Sequence, residues 1–183
     1  MLTPKKPTDN LEGYAEGTVG NYEQLRLQGA INVPLADNLK LRLTLDRNKR
    51  EGFMKNLSGI GPKDYNDQNY FYGRFSVVAD LADNLENYTI FHYSHSFTNG
   101  FNSRLVGCAT AESGDLITDR TKPGFNGAKL LTSTSCSIML NRQNARGDSM
   151  RETETRHTSP HIDLEQWQVI NTTTWKASDN LTV

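Results

Sequence analysis

Residues 22–46 have the sequence YEQLRLQGAINVPLADNLKLRLTLD, in which apolar and polar side chains alternate along two successive runs. The first run, from Leu25 to Leu35, has an apolar residue or glycine at every second position, and the second run begins at Leu39. Successive side chains of a β-strand point to opposite faces, so each run has one apolar and one polar face. Asp37 and Asn38 separate the runs and are residue types that favour tight turns. The stretch therefore predicts a β-hairpin with one face in apolar surroundings and the other in water.

The same alternation recurs along the rest of the chain, and the tripeptide Asp-Asn-Leu occurs four times, beginning at residues 9, 37, 83 and 179. Strands are predicted near 11–20, 22–35, 39–52, 70–82, 85–98 and 163–177, with the start of a seventh at Leu181–Val183. Short turns alternate with long loops at 53–69 and 99–162, and Ser133–Arg146 within the second loop predicts a short helix ending before Gly147. The predicted fold class is all-β, an antiparallel meander of six to seven strands. Outer-membrane barrels have short turns on one side and long loops on the other, so the pattern indicates a partial transmembrane β-barrel.

The composition and charge argue against a nucleic-acid-binding protein and against a protein with a transmembrane helix. The chain has 183 residues and a net charge of −1, which gives no basic surface for nucleic acid. It contains no apolar run long enough for a transmembrane helix. The N-terminal residues Met1–Pro7 lack the apolar stretch of a signal peptide. If the protein is exported, we therefore expect its true N-terminus to lie upstream of Met1.

The alternation assigns side chains to the two faces of the predicted barrel wall. The residues expected to face lipid are Leu25, Leu27, Ile31, Val33, Leu41, Leu43, Phe71, Phe75, Val77, Trp167, Val169 and Trp175. Four cations, Arg26, Lys40, Arg42 and Arg74, are expected to face the lumen. A basic lumen could attract an anionic ligand. The favoured alternative is that these cations pair with a segment that plugs the barrel or with carboxylates on neighbouring strands, namely Glu12, Glu16, Asp46 and Asp80.

Trp167 and Trp175 share a face and lie about 20 Å apart along the membrane normal, at ~3.3 Å per residue and a strand tilt near 40°. This spacing is typical of the two aromatic girdles of an outer-membrane barrel. Two tryptophans in a soluble core are the alternative.

Cys108 and Cys136 are the chain's two cysteines. In an oxidising compartment they are candidates for a disulfide, with two free thiols as the alternative.

The serines and histidines do not fall in the spacing of any catalytic motif, so we expect no enzyme activity, catalytic residue or cofactor. His157, His161 and Asp163 have the residue types of a loop metal site, but a solvated polar loop explains them better, and no metal is expected.

Several segments resemble TonB-dependent outer-membrane receptors. Thr3–Thr8 is similar to the junction between their plug and barrel, and Gly20-Asn21-Tyr22 to their first hairpin. Asn32–Leu35, Arg50–Phe53 and Gln166–Trp175 are similar to the start of their barrel. The similarity covers nearly the whole chain and is weakest over 109–160.

The resemblance implies a barrel of about 22 strands closed around an N-terminal plug. It implies location in the outer membrane of a Gram-negative bacterium and uptake of a ferric siderophore or other scarce nutrient, driven by the inner-membrane TonB–ExbB–ExbD complex. In that family, 1–10 corresponds to the end of the plug and 11–183 to about a quarter of the barrel. The expected partners are lipid, the missing plug and strands, the TonB complex and a small ligand. We expect such a fragment not to transport alone.

Two alternatives remain open. One is a soluble β-sandwich that binds a ligand or carbohydrate, in which the apolar faces meet across a core about 10 Å thick. The other is a fragment of a porin, against which the plug-junction segment argues.

Overall fold

The structure is a computed structural model that describes residues 4–108, 127–178 and 180–183. Its elements in chain order are β1 (Glu12–Gly20), β2 (Gln24–Ala36), β3 (Leu39–Arg50), β4 (Met54–Asn56), β5 (Asp64–Tyr65), β6 (Gln68–Ala82), β7 (Leu85–Thr98), α1 (Gly127–Arg146), β8 (Glu152–Thr153), β9 (Ile162–Ser178) and β10 (Leu181–Thr182). Within these ranges, no helix is both long enough and apolar enough to cross a membrane.

The described chain divides into two compact units. The first, here the sheet unit, comprises Met1–Gly52, Asn66–Gly100 and His161–Val183; the second, here the loop unit, comprises Phe53–Tyr65 and Phe101–Pro160. The sheet unit contains one antiparallel sheet of seven strands in the order β1-β2-β3-β6-β7-β9-β10. Strands that are adjacent in the sheet follow one another along the sheet unit. The predicted antiparallel meander is therefore confirmed.

The turns at residues 37 and 83 lie where the sequence predicted them. Asp37-Asn38 joins β2 to β3 and Asp83-Asn84 joins β6 to β7, and a bulge adjoins each turn, between Pro34 and Ala36 and between Asp80 and Ala82. Among the described non-glycine residues, only Tyr22, Glu23 and Asn66 have positive φ. The Asp-Asn turns therefore do not use the left-handed conformation that these residue types tolerate, and the bulges re-aim the strands instead.

The loop unit holds structure where the sequence predicted long loops at 53–69 and 99–162. Its three-stranded sheet has the order β5-β4-β8, with β4 antiparallel to β5 and parallel to β8. The helix α1 has 20 residues instead of the short segment expected, and it stops where expected. Gly147 follows it with φ of 70°, and the Gly147 and Asp148 amides donate to the carbonyls of Asn144 and Gln143. These bonds satisfy the last carbonyl groups of the helix.

The buried part of the sheet unit lies on the face that carries its polar side chains. Val78, Tyr88 and Ile90 form a small apolar cluster there, and Asn32 and Ser76 on the same face are fully buried. The opposite face carries the leucine, valine and phenylalanine rows and is exposed. The sheet unit therefore reverses the usual arrangement of a soluble domain, in which the apolar face is the buried one.

Candidate functional site

A row of large apolar side chains crosses five strands on one face of the sheet. Ile31 lies opposite Leu43, Leu43 opposite Phe75, Phe75 opposite Phe91, and Phe91 opposite Val169. All five are exposed, from 39% at Leu43 to 55% at Val169. Soluble monomers rarely expose apolar patches larger than a few hundred Å². We call this surface the apolar face.

The strand register places all twelve residues that were expected to face lipid on the apolar face, and none of them is buried. On β3 the apolar face ends at Arg47, whose guanidinium donates to the Tyr70 carbonyl and to the Asn69 side chain. The apolar surface on this strand is therefore bounded by a positive charge.

A polar patch interrupts the apolar face between the two tryptophans. Asn171 and Thr173 lie between Trp167 and Trp175 on β9, and Asn87 and Thr89 oppose them on β7. The Asn87 amide donates to Thr173 at 2.8 Å, and the Asn171 amide donates to Thr89 at 2.7 Å. Mutual hydrogen bonding lowers the cost of placing these groups in apolar surroundings. The surface between the tryptophans is therefore not uniformly apolar.

The four predicted lumen cations share the opposite face, here the polar face. Arg26 donates two hydrogen bonds to Asp46, at 2.9 and 2.5 Å. Lys40 lies 2.8 Å from an Asp9 carboxylate oxygen and 3.2 Å from one of Asp80. Pairing with carboxylates, the alternative that the pattern favoured, therefore describes these two cations.

The other two cations are arranged differently. Arg42 is 7% exposed and also pairs with a carboxylate, since its Nη1 lies 3.9 Å from Glu12 Oε1. Arg74 sits between Thr44 on β3 and His92 on β7 in the register. The Nε atoms of both arginines are buried and have no hydrogen-bond partner among the described residues. Each of these two guanidinium groups therefore has one N–H donor, at Nε, that no described residue accepts from.

The segment that precedes β1 lies on the polar face. The buried Asn32 amide accepts a hydrogen bond from the Thr8 backbone and donates to the carbonyls of Thr8 and Asn10, at 2.6–2.8 Å. Lys6 pairs with Glu86 at 2.6 Å and sits over the Tyr88 ring. The segment therefore reaches from β2 to β7. Sequence reasoning missed Asn32, because a polar residue at an alternating position usually indicates exposure to water.

Further polar atoms of this face are buried without a hydrogen-bond partner among the described residues. Besides the two arginine Nε atoms, they are Thr44 Oγ1, Asn48 Oδ1, Ser76 Oγ and Tyr88 Oη. Leaving one such group unpaired costs about 1–3 kcal/mol. The polar face therefore suits a polar covering layer, either water or polypeptide.

The histidines and cysteines occupy other positions. His95 Nε2 lies 2.8 Å from Asp163 Oδ1, and the His161 ring stacks on Phe97 at 5.5 Å. No group of three metal-ligating side chains occurs in the described part of the chain. Cys108 and Cys136 form a disulfide in the loop unit.

The loop unit also brings together arginines that the sequence analysis did not single out. Arg142 and Arg146 are one helical turn apart on α1, and both contact Glu154. Residues four positions apart share one face of a helix, so the sequence could have indicated that these arginines lie together. Nothing in the sequence pattern connects them to Glu154.

Compared with known proteins, the chain matches no protein family, no curated protein and no solved structure.

Proposed function

We propose that the sheet unit is part of the wall of an outer-membrane β-barrel, with its apolar face toward lipid and its polar face toward the lumen. The observation that carries this proposal is the reversed burial of adjacent residues on the four central strands β2, β3, β6 and β7. Transmembrane strands alternate apolar side chains toward lipid with polar side chains toward the interior. Burial of the apolar face in acyl chains contributes roughly 25 cal/mol per Å² of apolar surface.

The burial pattern argues against the soluble β-sandwich. In a sandwich, Ile31, Leu43 and Phe75 would be covered by a second sheet, yet they are 47%, 39% and 41% exposed. A sandwich would also leave Asn32 and Ser76 in water, yet both are fully buried.

The finer proposal is a TonB-dependent receptor that takes up a siderophore or another scarce nutrient. It is supported by the segment similar to the plug junction, which lies on the polar face through Thr8 and Asn32. The unpaired polar atoms of Arg42, Arg74 and Ser76 suit contact with a plug or with lumen water. A plug, further strands and the inner-membrane TonB complex are the partners this role requires.

Fluorescence quenching by brominated lipid tests the membrane role, because the chain has only two tryptophans. The full chain is refolded with vesicles of phosphatidylcholine brominated on the acyl chains. We expect emission from both Trp167 and Trp175 to be quenched. The variants Trp167→Phe and Trp175→Phe each leave one reporter, so the depth of each ring is measured separately.

The association state of the chain in buffer without lipid provides a second test of the membrane role. The sheet ends in β1 on one side and β10 on the other, and such edges promote association when the apolar face is uncovered. We expect aggregation without lipid or detergent. A monodisperse monomer in buffer, with tryptophans that brominated lipid does not quench, would refute the membrane role.

A further inference from the structure

The loop unit contains a pocket of about 630 Å³ whose wall is rich in arginine. Four arginines line it: Arg104, Arg142, Arg146 and Arg156. Leu105 and Met139 provide apolar wall, and Glu154 is the pocket's one carboxylate among the described lining residues. Binding pockets for small molecules typically have volumes of about 300–1,000 Å³ and combine apolar walls with a few convergent polar groups.

Glu154 holds three of these guanidinium groups together. Its Oε1 accepts from Arg142 at 3.1 Å and from Arg156 at 2.9 Å, and its Oε2 accepts from Arg146 at 2.6 Å. These neighbouring cations hold the pKa of Glu154 below its ordinary value, with Arg146 the largest cause. Glu154 is therefore a fixed anion that positions the arginines.

The arginines have different roles. Arg146 uses three nitrogens, two on the nearly buried carboxylate of Asp148 and one on Glu154. The hydrogen-bond donors of Arg146 are therefore used by Asp148 and Glu154 within the loop unit. Arg142 is 53% exposed at the side chain and Arg156 is 64% exposed. Both meet Glu154 through its Oε1 alone, so each guanidinium, with five N–H donors, has further donors for a ligand.

The charges of the cluster do not balance. Among the described residues that line the pocket or pair with its arginines, four guanidinium groups face two carboxylates, Asp148 and Glu154, an excess of two positive charges. Like charges held this close repel one another, and a further anion relieves the repulsion. Planar guanidinium groups bind carboxylate and phosphate in bidentate geometry.

We infer that this pocket binds a small organic anion that carries at least two carboxylate or phosphate groups. Arg142 and Arg156 contact its charged groups, Leu105 and Met139 contact its body, and Arg146 and Glu154 are positioning residues. The site is formed within the loop unit and does not depend on the proposed membrane role.

Calorimetric titration of the full, disulfide-bonded chain in detergent tests the site, with trimesate and inorganic pyrophosphate as probes. We expect saturable binding of one equivalent at low ionic strength, weakened by added salt. Arg142→Gln and Arg156→Gln should each weaken binding by about tenfold or more, because a charge-assisted pair is lost. Arg142→Lys, which keeps the charge but loses the planar fork, should fall between wild type and Arg142→Gln.

Arg151→Gln is the matched control, because it makes the same change of charge in the loop unit at a residue that does not line the pocket. We expect it to retain binding within about twofold. Equal weakening by Arg151→Gln and Arg142→Gln would reduce the effect to overall charge and overturn the site. Absence of saturable binding of both probes to the wild-type chain would overturn it whatever the variants do.

Discussion

Ile31 and Asn32 are neighbours on β2, yet the Ile31 side chain is 47% exposed while Asn32 is fully buried. Asn32 is satisfied there by three hydrogen bonds to Thr8 and Asn10. Ile31 instead continues a row of apolar side chains across the sheet. The same contrast recurs on β3, β6 and β7, where the polar face is the more buried one. The membrane wall that we propose would give the apolar face an apolar environment.

A cation in the middle of the apolar face should impair membrane assembly. Leu43 lies between Ile31 and Phe75 in the exposed row, so Leu43→Arg places a charge among groups proposed to contact acyl chains. Near the bilayer midplane we expect a cost of about 2–4 kcal/mol. Urea unfolding in vesicles measures it, and Leu43→Ile is the control that keeps the face apolar. On a water-facing surface, the Arg variant would instead change stability by less than about 0.5 kcal/mol.

Asn32→Ala should release the segment that precedes β1. The change removes the amide that accepts from the Thr8 backbone and donates to Thr8 and Asn10, so it leaves buried groups unpaired. We expect a loss of about 1–3 kcal/mol in the free energy of unfolding. Trypsin cleavage after Lys5 should also become faster.

Asn48→Ala is the control variant for the effect of Asn32→Ala on the N-terminal segment. Asn48 is also buried on the polar face, but its amide bonds to Gln68 instead of the N-terminal segment. We expect it to destabilise the sheet without faster cleavage after Lys5. Equal acceleration of cleavage in the two variants would show that Asn32 does not anchor the segment.

The long strands could be predicted from sequence because their signal is local. A strand side chain points to one face or the other according to position, so alternation at Leu25–Leu35 and in the leucines from Leu39 to Leu45 predicts both the element and its orientation. The predicted strand from 70 begins at Gln68, and the one from 22 begins at Gln24. These shifts are small because the turn residues between strands limit where each strand can begin and end.

The loop unit could not be predicted in the same way, because its strands are two or three residues long and show no period. Asn56 stabilises this part through tertiary contacts. Its amide donates to the carbonyls of Ile60 and Pro62, and its oxygen accepts from the Ser58 and Thr155 backbones. Thr155 is 99 positions away along the chain, so no local pattern indicates the contact. The burial of Asn32 was missed for a similar reason, since its partners belong to a different segment.

Removal of the disulfide should weaken the loop unit. Cys108 and Cys136 are separated by 28 positions, and a link of that span stabilises by about 3 kcal/mol, chiefly by restricting the unfolded chain. We expect the Cys108→Ser/Cys136→Ser variant to lose hydrogen-exchange protection over β4 and β8. Protection over β2 and β3, which belong to the sheet unit, should change much less. Uniform loss in both units would indicate that the disulfide supports the whole chain.

Acidification should destabilise the loop unit through Glu154. Its pKa lies below the ordinary value of 4.5, because Arg146 and Arg156 donate to the ionised carboxylate. A lowered pKa in the folded state means that the stabilisation is complete above about pH 4.5 and is lost as the pH falls through the lowered value. Hydrogen exchange in α1 and β8, followed from neutral pH to below pH 4, should therefore show protection declining at the acid end.

Glu154→Gln separates this carboxylate from the other groups that titrate in the same range. The variant lacks the charge at every pH, so we expect lower protection at neutral pH and a smaller further loss on acidification. Asp148 keeps its own lowered pKa beside Arg146, so some acid sensitivity should remain. Glu165→Gln, a carboxylate of β9 in the sheet unit, is the control and should leave the acid response of α1 unchanged. An acid response in Glu154→Gln as large as in the wild type would assign the sensitivity to carboxylates other than Glu154.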